Sequence, residues 1–298
     1  MEHEGTRTGE RQRRSPLVAA AILLVVVLAA TGVVLLLTRA GSGTDLGYRF
    51  ASGNGATYRV TVKDTGTNMN ADTEYSVTTS TTLGLEVRDV DPDGTATVVA
   101  KVGDATITGG SGDPEHLGGL AEQTARVAGD GQMLDSVVLV ADPQGTFFGL
   151  LDPLLPIVSG DPVSPGDRWD VHATQGMTLG SGETTITGSA TLTGFDTVDG
   201  VRVAVVHSDL TEAWDLQGDA SQMAALAGGT TTSMGSVKWK GREHIRMTSL
   251  VDTDASVVVR STLTGDYDIA ITNATGDAPG SPVHNTGTFE QDAERTTS

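Results

Sequence analysis

The chain has 298 residues, no cysteine, and 38 acidic against 19 basic side chains, which gives a formal net charge of −19 at pH 7. Without cysteine it has no disulfide framework, no thiolate nucleophile and no lipidated N-terminal cysteine. The excess of acid repels phosphate backbones, so we expect no nucleic-acid partner.

The first predicted element is a membrane-spanning helix over residues 16–38. Leu17 to Leu37 is apolar except for Thr31 and Gly32, and these 21 residues would rise about 30 Å as a helix. That length matches the hydrocarbon core of a bilayer. A cleaved signal peptide is the alternative, but its apolar core usually runs about 7 to 15 residues. We therefore predict a retained anchor.

Basic residues set the predicted orientation of this anchor. Four arginines precede it and only Arg39 follows closely, and cytoplasmic flanks are the ones that keep Lys and Arg. We predict a single-pass protein of the plasma membrane, with residues 1–15 cytoplasmic, a linker at 39–45 and an extracellular C-terminal domain. Beyond Arg39 the formal charge is about −21.

Residues 46–273 are predicted to form this extracytoplasmic domain, and its pattern is all-β. Tyr58, Val60 and Val62 alternate with polar residues, which is the period of a strand. Long strands with few helical patterns favour a large antiparallel sheet or sandwich. Similar runs occupy about 73–90, 95–108, 132–140, 168–175, 183–195, 201–216, 235–250 and 256–272.

Two turns containing Asp-Gly predict hairpins and an internal repeat. Asp91-Pro92-Asp93-Gly94 and Asp199-Gly200 each lie between two strand patterns. Each neighbourhood begins with a glycine-led aromatic strand and reaches its turn about 35 residues later. We predict two similar halves, at about 46–145 and 160–273.

Other segments depart from the strand pattern. Asp113-Pro114-Glu115 is a helix start and predicts a short helix near 114–121. An alternative makes Gln123 to Val127 the first arm of a hairpin. Ala220 to Ala227 predicts one or two helical turns, and residues 274–298, with little apolar content, are predicted to be disordered.

The most apolar segment after the anchor is residues 147–158. Its two prolines limit it to a short, kinked helix. The structural interpretation is a plug at one end of the sheet. The functional alternative is a lid in a carrier or sensor of a hydrophobic or lipid-like ligand, with candidate binding residues Phe147, Phe148 and Leu151.

A basic stripe provides the other candidate ligand site. Its residues alternate along one strand and therefore share one face: Lys238, Lys240, Arg242, His244 and Arg246. One interpretation is cross-strand pairing with acids such as Asp209, Asp215, Asp266 and Asp268. The functional alternative is an anion-binding stripe for an envelope polymer or a lipid head group.

Sequence motifs of catalysis are not found. The chain lacks Gly-x-Ser-x-Gly, His-Glu-x-x-His, Ser-x-x-Lys and the phosphate-binding Gly-x-x-x-x-Gly-Lys. Asp89 to Gly94 matches the first half of a calcium loop, but position twelve is Ala100. We predict no enzyme, no cofactor and no metal site; an enzyme with a dispersed site stays an open alternative.

One short motif carries a resemblance. Pro162-Val163-Ser164-Pro165-Gly166-Asp167-Arg168-Trp169 follows Leu154-Leu155-Pro156. The chain resembles an uncharacterised bacterial family of exported or membrane-anchored β-rich proteins with a Pro-x-Gly-Asp-x-Trp motif, over about residues 46–272. The resemblance implies no assigned activity. A looser likeness to half-barrel lipid carriers of the bacterial envelope rests on fold analogy.

The predicted function is that of a binding or interaction module held at the membrane by residues 16–38. Its partner would be an envelope polymer, a lipid or another protein. The ligand itself is not predicted by any of these patterns.

Overall fold

The computed structural model describes residues 43–69, 72–109, 115–117, 122–136, 154–177, 181–219, 236–273 and 283–296. The predicted anchor, the predicted helical turns at 220–227, and the candidate residues Phe147, Phe148 and Leu151 lie outside these ranges. Within them, no helix is both long enough and apolar enough to cross a membrane.

Residues Thr44–Ser298 form a compact unit separate from the first 43 residues. The core cluster of the described residues lies entirely within it, from Leu46 to Ala293. A domain with its own hydrophobic core is expected to fold on its own. The experiments below therefore use Thr44–Ser298.

Strands make up nearly all of the described chain. They are long because β-branched and aromatic residues alternate with polar ones over many residues. The described residues contain β1 (Gly55–Asn68), β2 (Thr73–Val90), β3 (Ala96–Val102), β4 (Ala105–Gly109), β5 (Glu115–Leu117), β6 (Glu122–Val127), β7 (Met133–Ser136), β8 (Arg168–Met177), β9 (Ser181–Val198), β10 (Val201–Asp219), β11 (Ser236–Asp252), β12 (Val258–Asn273) and β13 (Val283–Thr296).

These strands form one sheet that closes on itself in a barrel-like arrangement. The order is β1-β13-β12-β11-β10-β9-β8-β7-β6-β3-β2, and β2 pairs again with β1. β4 and β5 branch from β2 beyond the end of β3. All pairings are antiparallel except β7 with β8, which join through two residue pairs. The predicted all-β antiparallel class is confirmed, as a closed sheet rather than a sandwich.

Both predicted hairpins are confirmed. Gly94 has a φ of 87° and donates its N–H to the Asp91 carbonyl at 2.9 Å, which closes the turn between β2 and β3. Asp199 and Gly200 have φ values of 50° and 81°. Two successive positive φ values match the right-handed twist of the strands they connect, here β9 and β10.

The helix predicted near 114–121 is wrong in its described part. Glu115–Leu117 is strand β5 and pairs with β4 from Ala105 to Ile107. The unpaired edge of β4 offers backbone partners, and this pairing overrides the local helix-start signal. The alternative prediction is confirmed: β6 and β7 form a hairpin, pairing from Ala125 to Val127.

The disordered tail predicted at 274–298 is wrong for residues 283–296. They form β13, which pairs with β1 on one side and with β12 on the other. The edges of these two strands need a backbone partner, and β13 supplies it. β13 therefore closes the sheet between β1 and β12 and joins the two predicted halves. The internal repeat itself stays a prediction.

A segment between β7 and β8 fills the interior of the sheet. The ring has eleven strands in the described residues, and about eight already enclose a space that side chains fill. Leu154, Leu155 and Val158 enter this interior and join the core cluster. Where Leu155, Pro156 and Ile157 face the strands, the pocket between them measures about 30 Å³. The plug interpretation is thus supported for Leu154–Val158.

Hydrogen bonds fix this plug in place. The Tyr48 hydroxyl donates to the Pro156 carbonyl at 3.2 Å, and the Trp169 indole N–H donates to the Ile157 carbonyl at 3.3 Å. The Val158 N–H donates to the Asp130 carbonyl at 2.8 Å. Because it is tied to three separate parts of the domain, Leu154–Val158 is a fixed part of the fold, which supports the plug interpretation. The lid over residues 147–158 stays a prediction.

The two ends of the closed sheet differ in what fills them. At the end where β1 finishes, the Tyr75 and Tyr267 hydroxyls hydrogen-bond to each other, and Tyr267 donates to the buried Asp64 carboxylate at 2.8 Å. The two rings meet over Gly66, where a Cβ would lie 2.6 Å from both hydroxyl oxygens. Aromatic and polar contacts thus fill this end, while a cleft opens at the other.

Candidate functional site

The candidate site is a cleft of about 680 Å³ at the end of the sheet where β1 and β12 begin and β2 and β13 finish. Its walls are the segment Tyr48–Ala51, the first residues of β1, the last residues of β2 and the turn at Ala255–Val258. Plug residues Leu154 and Leu155 contribute from the interior. This volume lies in the range of small-molecule sites, about 300–1,000 Å³.

Apolar side chains form much of the lining. The side chains of Tyr48 and Phe50 stack, with ring centroids 5.4 Å apart and planes 6° from parallel. The alternation of β1 turns Ala56, Tyr58 and Val60 toward the core. The other apolar side chains of the lining are Ala51, Leu85, Val87, Val98, Leu154, Leu155, Ala255, Val257 and Val258.

Most polar side chains of the lining already have protein partners. The Tyr58 hydroxyl donates to the Val258 carbonyl at 3.0 Å. Burial raises the pKa of the Tyr58 phenol, against a smaller opposite effect of the Arg295 charge, so the phenol stays a neutral donor. At the exposed rim Lys101 pairs with Glu86 at 3.1 Å.

Arg295 is the exception among these polar groups. It follows the inward-facing Gln291 and Ala293 along β13, and its side chain is 25% exposed. Its Nη1 lies 4.0 Å from Asp252 Oδ2, which is an ion-pair distance and too long for a hydrogen bond. The Arg295 guanidinium, which has an ion-pair partner but no hydrogen bond to it, therefore borders the cleft.

Asp252 is held by its own turn. Its side chain is 8% exposed, and its Oδ1 accepts the backbone N–H groups of Asp254 and Ala255, each at 2.9 Å. These bonds shape the turn between β11 and β12 that forms one wall of the cleft. The carboxylate places a negative charge near Arg295 without satisfying its donors.

This arrangement combines an apolar volume with one partly buried cation. Ligand sites typically have this composition: mostly hydrophobic walls and a few convergent polar groups. Among the residues that the structure describes, no group of three or more His, Asp and Glu side chains is placed to hold a metal ion.

The predicted basic stripe lies on the outer face of β11. The contacts there support cross-strand pairing: Lys238 reaches Asp215 at 2.9 Å, and His244 reaches Asp209 at 2.8 Å. His244 also lies 3.7 Å from Asp266. Asp268 instead contacts His284 of β13 at 2.7 Å. The structure therefore places the predicted stripe residues away from the apolar cleft, and anion binding by them stays a prediction.

Arg246 and its neighbours line a second, open hollow of about 810 Å³ on the outside of the sheet. In register, Arg168, Thr191, His207, Thr248 and Thr262 form a row across β8 to β12. The row is polar and exposes no aromatic ring. It offers hydrogen bonds and charge but no apolar volume, so the cleft is the stronger candidate.

The motif that carried the resemblance has a structural role. Here proline stands directly before glycine, as Pro165-Gly166-Asp167-Arg168-Trp169. Gly166 has a φ of 96° and donates its N–H to Leu192, and the Asp167 carboxylate accepts the Ser164 N–H at 2.8 Å. This turn starts β8 and positions Trp169 against the plug.

Sequence reasoning missed the residue that gives the cleft its charge. Arg295 lies in the segment predicted to be disordered, and only the spacing of Phe289, Ala293 and Arg295 on one face could have indicated a strand there. Tyr58, by contrast, lies in a predicted strand, but nothing in the sequence indicates which end of the sheet stays open.

Comparisons with known proteins add little. No family model matches the chain, and no curated protein matches it. Among solved structures, DynF of the dynemicin biosynthesis pathway of Micromonospora chersina is 11% identical, with 85% of this chain and 89% of that chain covered and a TM-score of 0.27. A DUF1329 family protein from Desulfovibrio piger is 12% identical, with 82% and 87% covered and a TM-score of 0.16.

A putative outer membrane lipoprotein-sorting protein domain from Vibrio parahaemolyticus is also similar in part. It is 10% identical, with 81% of this chain and 84% of that chain covered and a TM-score of 0.17. TM-scores this low carry no argument about this chain.

Proposed function

We propose that the domain acts by binding, not by catalysis, and that the cleft at the start of β1 takes the apolar chain of an amphiphilic ligand. The observation that carries this proposal is a volume of about 680 Å³ whose lining is more apolar than polar. Stacked Tyr48 and Phe50 form one wall and the fixed Leu154 and Leu155 form the floor.

The physical driving force is the removal of a hydrocarbon chain from water. Each buried methylene contributes about 0.8 kcal/mol, while association itself costs at least about 4 kcal/mol. Ten carbons therefore contribute about 8 kcal/mol, and about 4 kcal/mol of this remains after the smallest association cost, which corresponds to a dissociation constant of about 1 mM. The fixed plug supports this, since a rigid floor does not have to be ordered on binding.

We also propose that the domain is held at the outer surface of the plasma membrane by residues 16–38. The support is the length of the apolar run and the arginines before it. An amphiphile of the envelope would then be a neighbouring ligand. Fractionation of the host tests this placement: we expect the protein with the membranes, and a form beginning near Gly41 in the culture fluid would contradict it.

Replacing Ala56 by Trp is expected to block the cleft. Ala56 faces inward at the start of β1 and lines the cleft, so an indole there occupies the volume proposed for the ligand chain. We expect Ala56→Trp to weaken the binding of decanoyl glycerol about tenfold or more. The measurement is calorimetric titration of Thr44–Ser298 below the micelle concentration of the ligand.

Thr61→Trp is the matched control, because Thr61 belongs to the same strand but faces outward. This variant should bind decanoyl glycerol as the unmodified domain does. Equal binding by all three proteins would place the ligand elsewhere. If the unmodified domain bound neither decanoyl glycerol nor a charged amphiphile of the same chain length, the proposed function would be refuted.

A further inference from the structure

We propose that the ligand carries an anionic head group, a carboxylate or a phosphate, and that Arg295 is the residue that selects it. The inference rests on the proposed function, because it names the head group of the amphiphile that the cleft would hold. It follows from the state of the Arg295 guanidinium, from what holds its one carboxylate neighbour, and from the pairing of the other cations.

The Arg295 guanidinium has unused donors. In the part of the chain that the structure describes, it donates no hydrogen bond, and its nearest carboxylate oxygen is Asp252 Oδ2 at 4.0 Å. A guanidinium has five N–H donors in a planar fork that matches the two oxygens of a carboxylate or phosphate. Its side chain is 25% exposed, and its nitrogens are not among the fully buried unpartnered atoms of the described residues, so these donors are open to water and to a ligand.

Asp252 cannot easily supply the missing bonds. Its Oδ1 accepts the N–H groups of Asp254 and Ala255, and these two bonds hold the carboxylate in its turn. The carboxylate therefore orients the guanidinium electrostatically and leaves its fork open toward the cleft. A ligand anion could bind there without displacing a protein hydrogen bond.

The other cations of the cleft are poor selectors. Lys101 lies 3.1 Å from Glu86, and Arg49 lies 3.5 Å from Asp45, both at the exposed rim where such pairs are weak and exchangeable. The domain as a whole is strongly acidic and repels anions at long range. Recognition of an anion must therefore come from a short-range contact, and Arg295 is placed to make it.

The apolar lining lies within reach of the same residue. Tyr58 pairs with Arg295 in register between β1 and β13. The Tyr58 hydroxyl donates to the Val258 carbonyl and is therefore not available to a ligand. Arg295 thus sits at the boundary between hydrocarbon-like walls and solvent. A single-chain amphiphile would place its head at this boundary and its chain against Leu85, Leu154 and Val258.

The test compares head groups on one chain length. Three ligands of equal chain length are titrated into Thr44–Ser298 and its Arg295→Gln variant at neutral pH: decanoate, decyl phosphate and uncharged decanoyl glycerol. Inorganic phosphate and acetate are titrated as well, because they represent the head groups without a hydrocarbon chain. We expect the unmodified domain to prefer the two anions. We expect Arg295→Gln to weaken them about 10- to 100-fold and to change decanoyl glycerol less than about twofold.

Two further variants control for structure and charge. Arg260→Gln removes an exposed cation that does not line the cleft and should leave all affinities unchanged. Arg295→Lys keeps the charge but loses the fork, so its affinities for the anions should fall between those of the unmodified domain and of Arg295→Gln. If Arg295→Gln does not fold, the inference is tested by whether the unmodified domain binds the two anions more tightly than decanoyl glycerol. Tight binding of phosphate or acetate alone would show that a free anion is the ligand and would overturn the inference.

The inference and the proposed function fail differently. Equal binding of charged and uncharged chains, unaffected by Arg295→Gln, would overturn the anionic head group and leave the amphiphile site standing. Binding of none of the three chains would remove the amphiphile site itself.

Discussion

A chain that ends at Asn273 is expected to lose cooperative folding. It lacks β13 (Val283–Thr296), which pairs with β1 through twelve residue pairs and with β12 through another twelve. Truncation would expose the hydrogen-bonding edges of two long strands and open the ring of the sheet. It would also uncover core residues such as Val60 and Leu263, which lie on those strands.

The measurement is thermal unfolding of Thr44–Asn273 and Thr44–Thr296, followed by near-ultraviolet circular dichroism. The longer chain retains β13 and serves as the control, and we expect one sharp transition for it. The shorter chain is expected to show no sharp transition, and aggregation through its open edges. A truncated chain that melts like the control would mean that the C-terminal strand is dispensable.

Leu154→Ala is expected to lower the free energy of unfolding by about 2–5 kcal/mol. Leu154 is 1% exposed and belongs to the core cluster, inside a ring too wide to be filled by its own strands. Truncating it leaves a cavity that the hydrogen-bonded plug cannot close by moving. The effect would be large for one side chain because the stability of a domain is typically about 5–15 kcal/mol.

Urea denaturation of Thr44–Ser298 measures this loss. Met69→Ala is the control, since Met69 is 54% exposed and its truncation removes little buried surface. We expect that variant to lie within about 0.5 kcal/mol of the unmodified domain. If Leu154→Ala were equally mild, the segment at Leu154–Val158 would be a loosely seated lid, and the fixed floor of the cleft would be lost with it.

The strands with apolar alternation could be predicted from the sequence because their signal is local. β1, β2, β8 and β9 to β12 all lie within or around a predicted run, and both Asp-Gly hairpins connect the expected strands. The strand that the sequence did not predict, β13, has no such local signal. The inward positions of β13 are Asn285, Gly287, Phe289, Gln291, Ala293 and Arg295, and only two of them are apolar apart from glycine.

Gly287 illustrates why such a strand is hard to predict. Glycine weakens a strand in isolation, yet here it leaves room for the Tyr267 ring, which packs against it from β12. Glycine is favourable at this position because of the Tyr267 ring beside it, and the sequence does not show which residue will be its neighbour. The same holds for β5, whose helix-start signal was overridden by pairing with β4.

The candidate site depends on long-range geometry for the same reason. Tyr48 and Tyr58, Leu154, and Arg295 come from three distant parts of the chain and meet because the sheet closes. The basic stripe was visible as a pattern within one strand, and there the predicted acidic partners Asp209 and Asp215 are in contact with it. Sequence patterns therefore identified the outer face of the sheet more readily than its interior.

The most direct measurement of the central claim is an amide chemical-shift titration of isotope-labelled Thr44–Ser298 with decanoate below its micelle concentration. We predict saturable shifts at Gly55–Tyr58, Gly84–Val87, Val257–Val258 and Arg295, the residues around the cleft. Shifts confined to the outer hollow around His207 and Arg246, or no saturable shift at all, would contradict a binding site at the open end of the sheet.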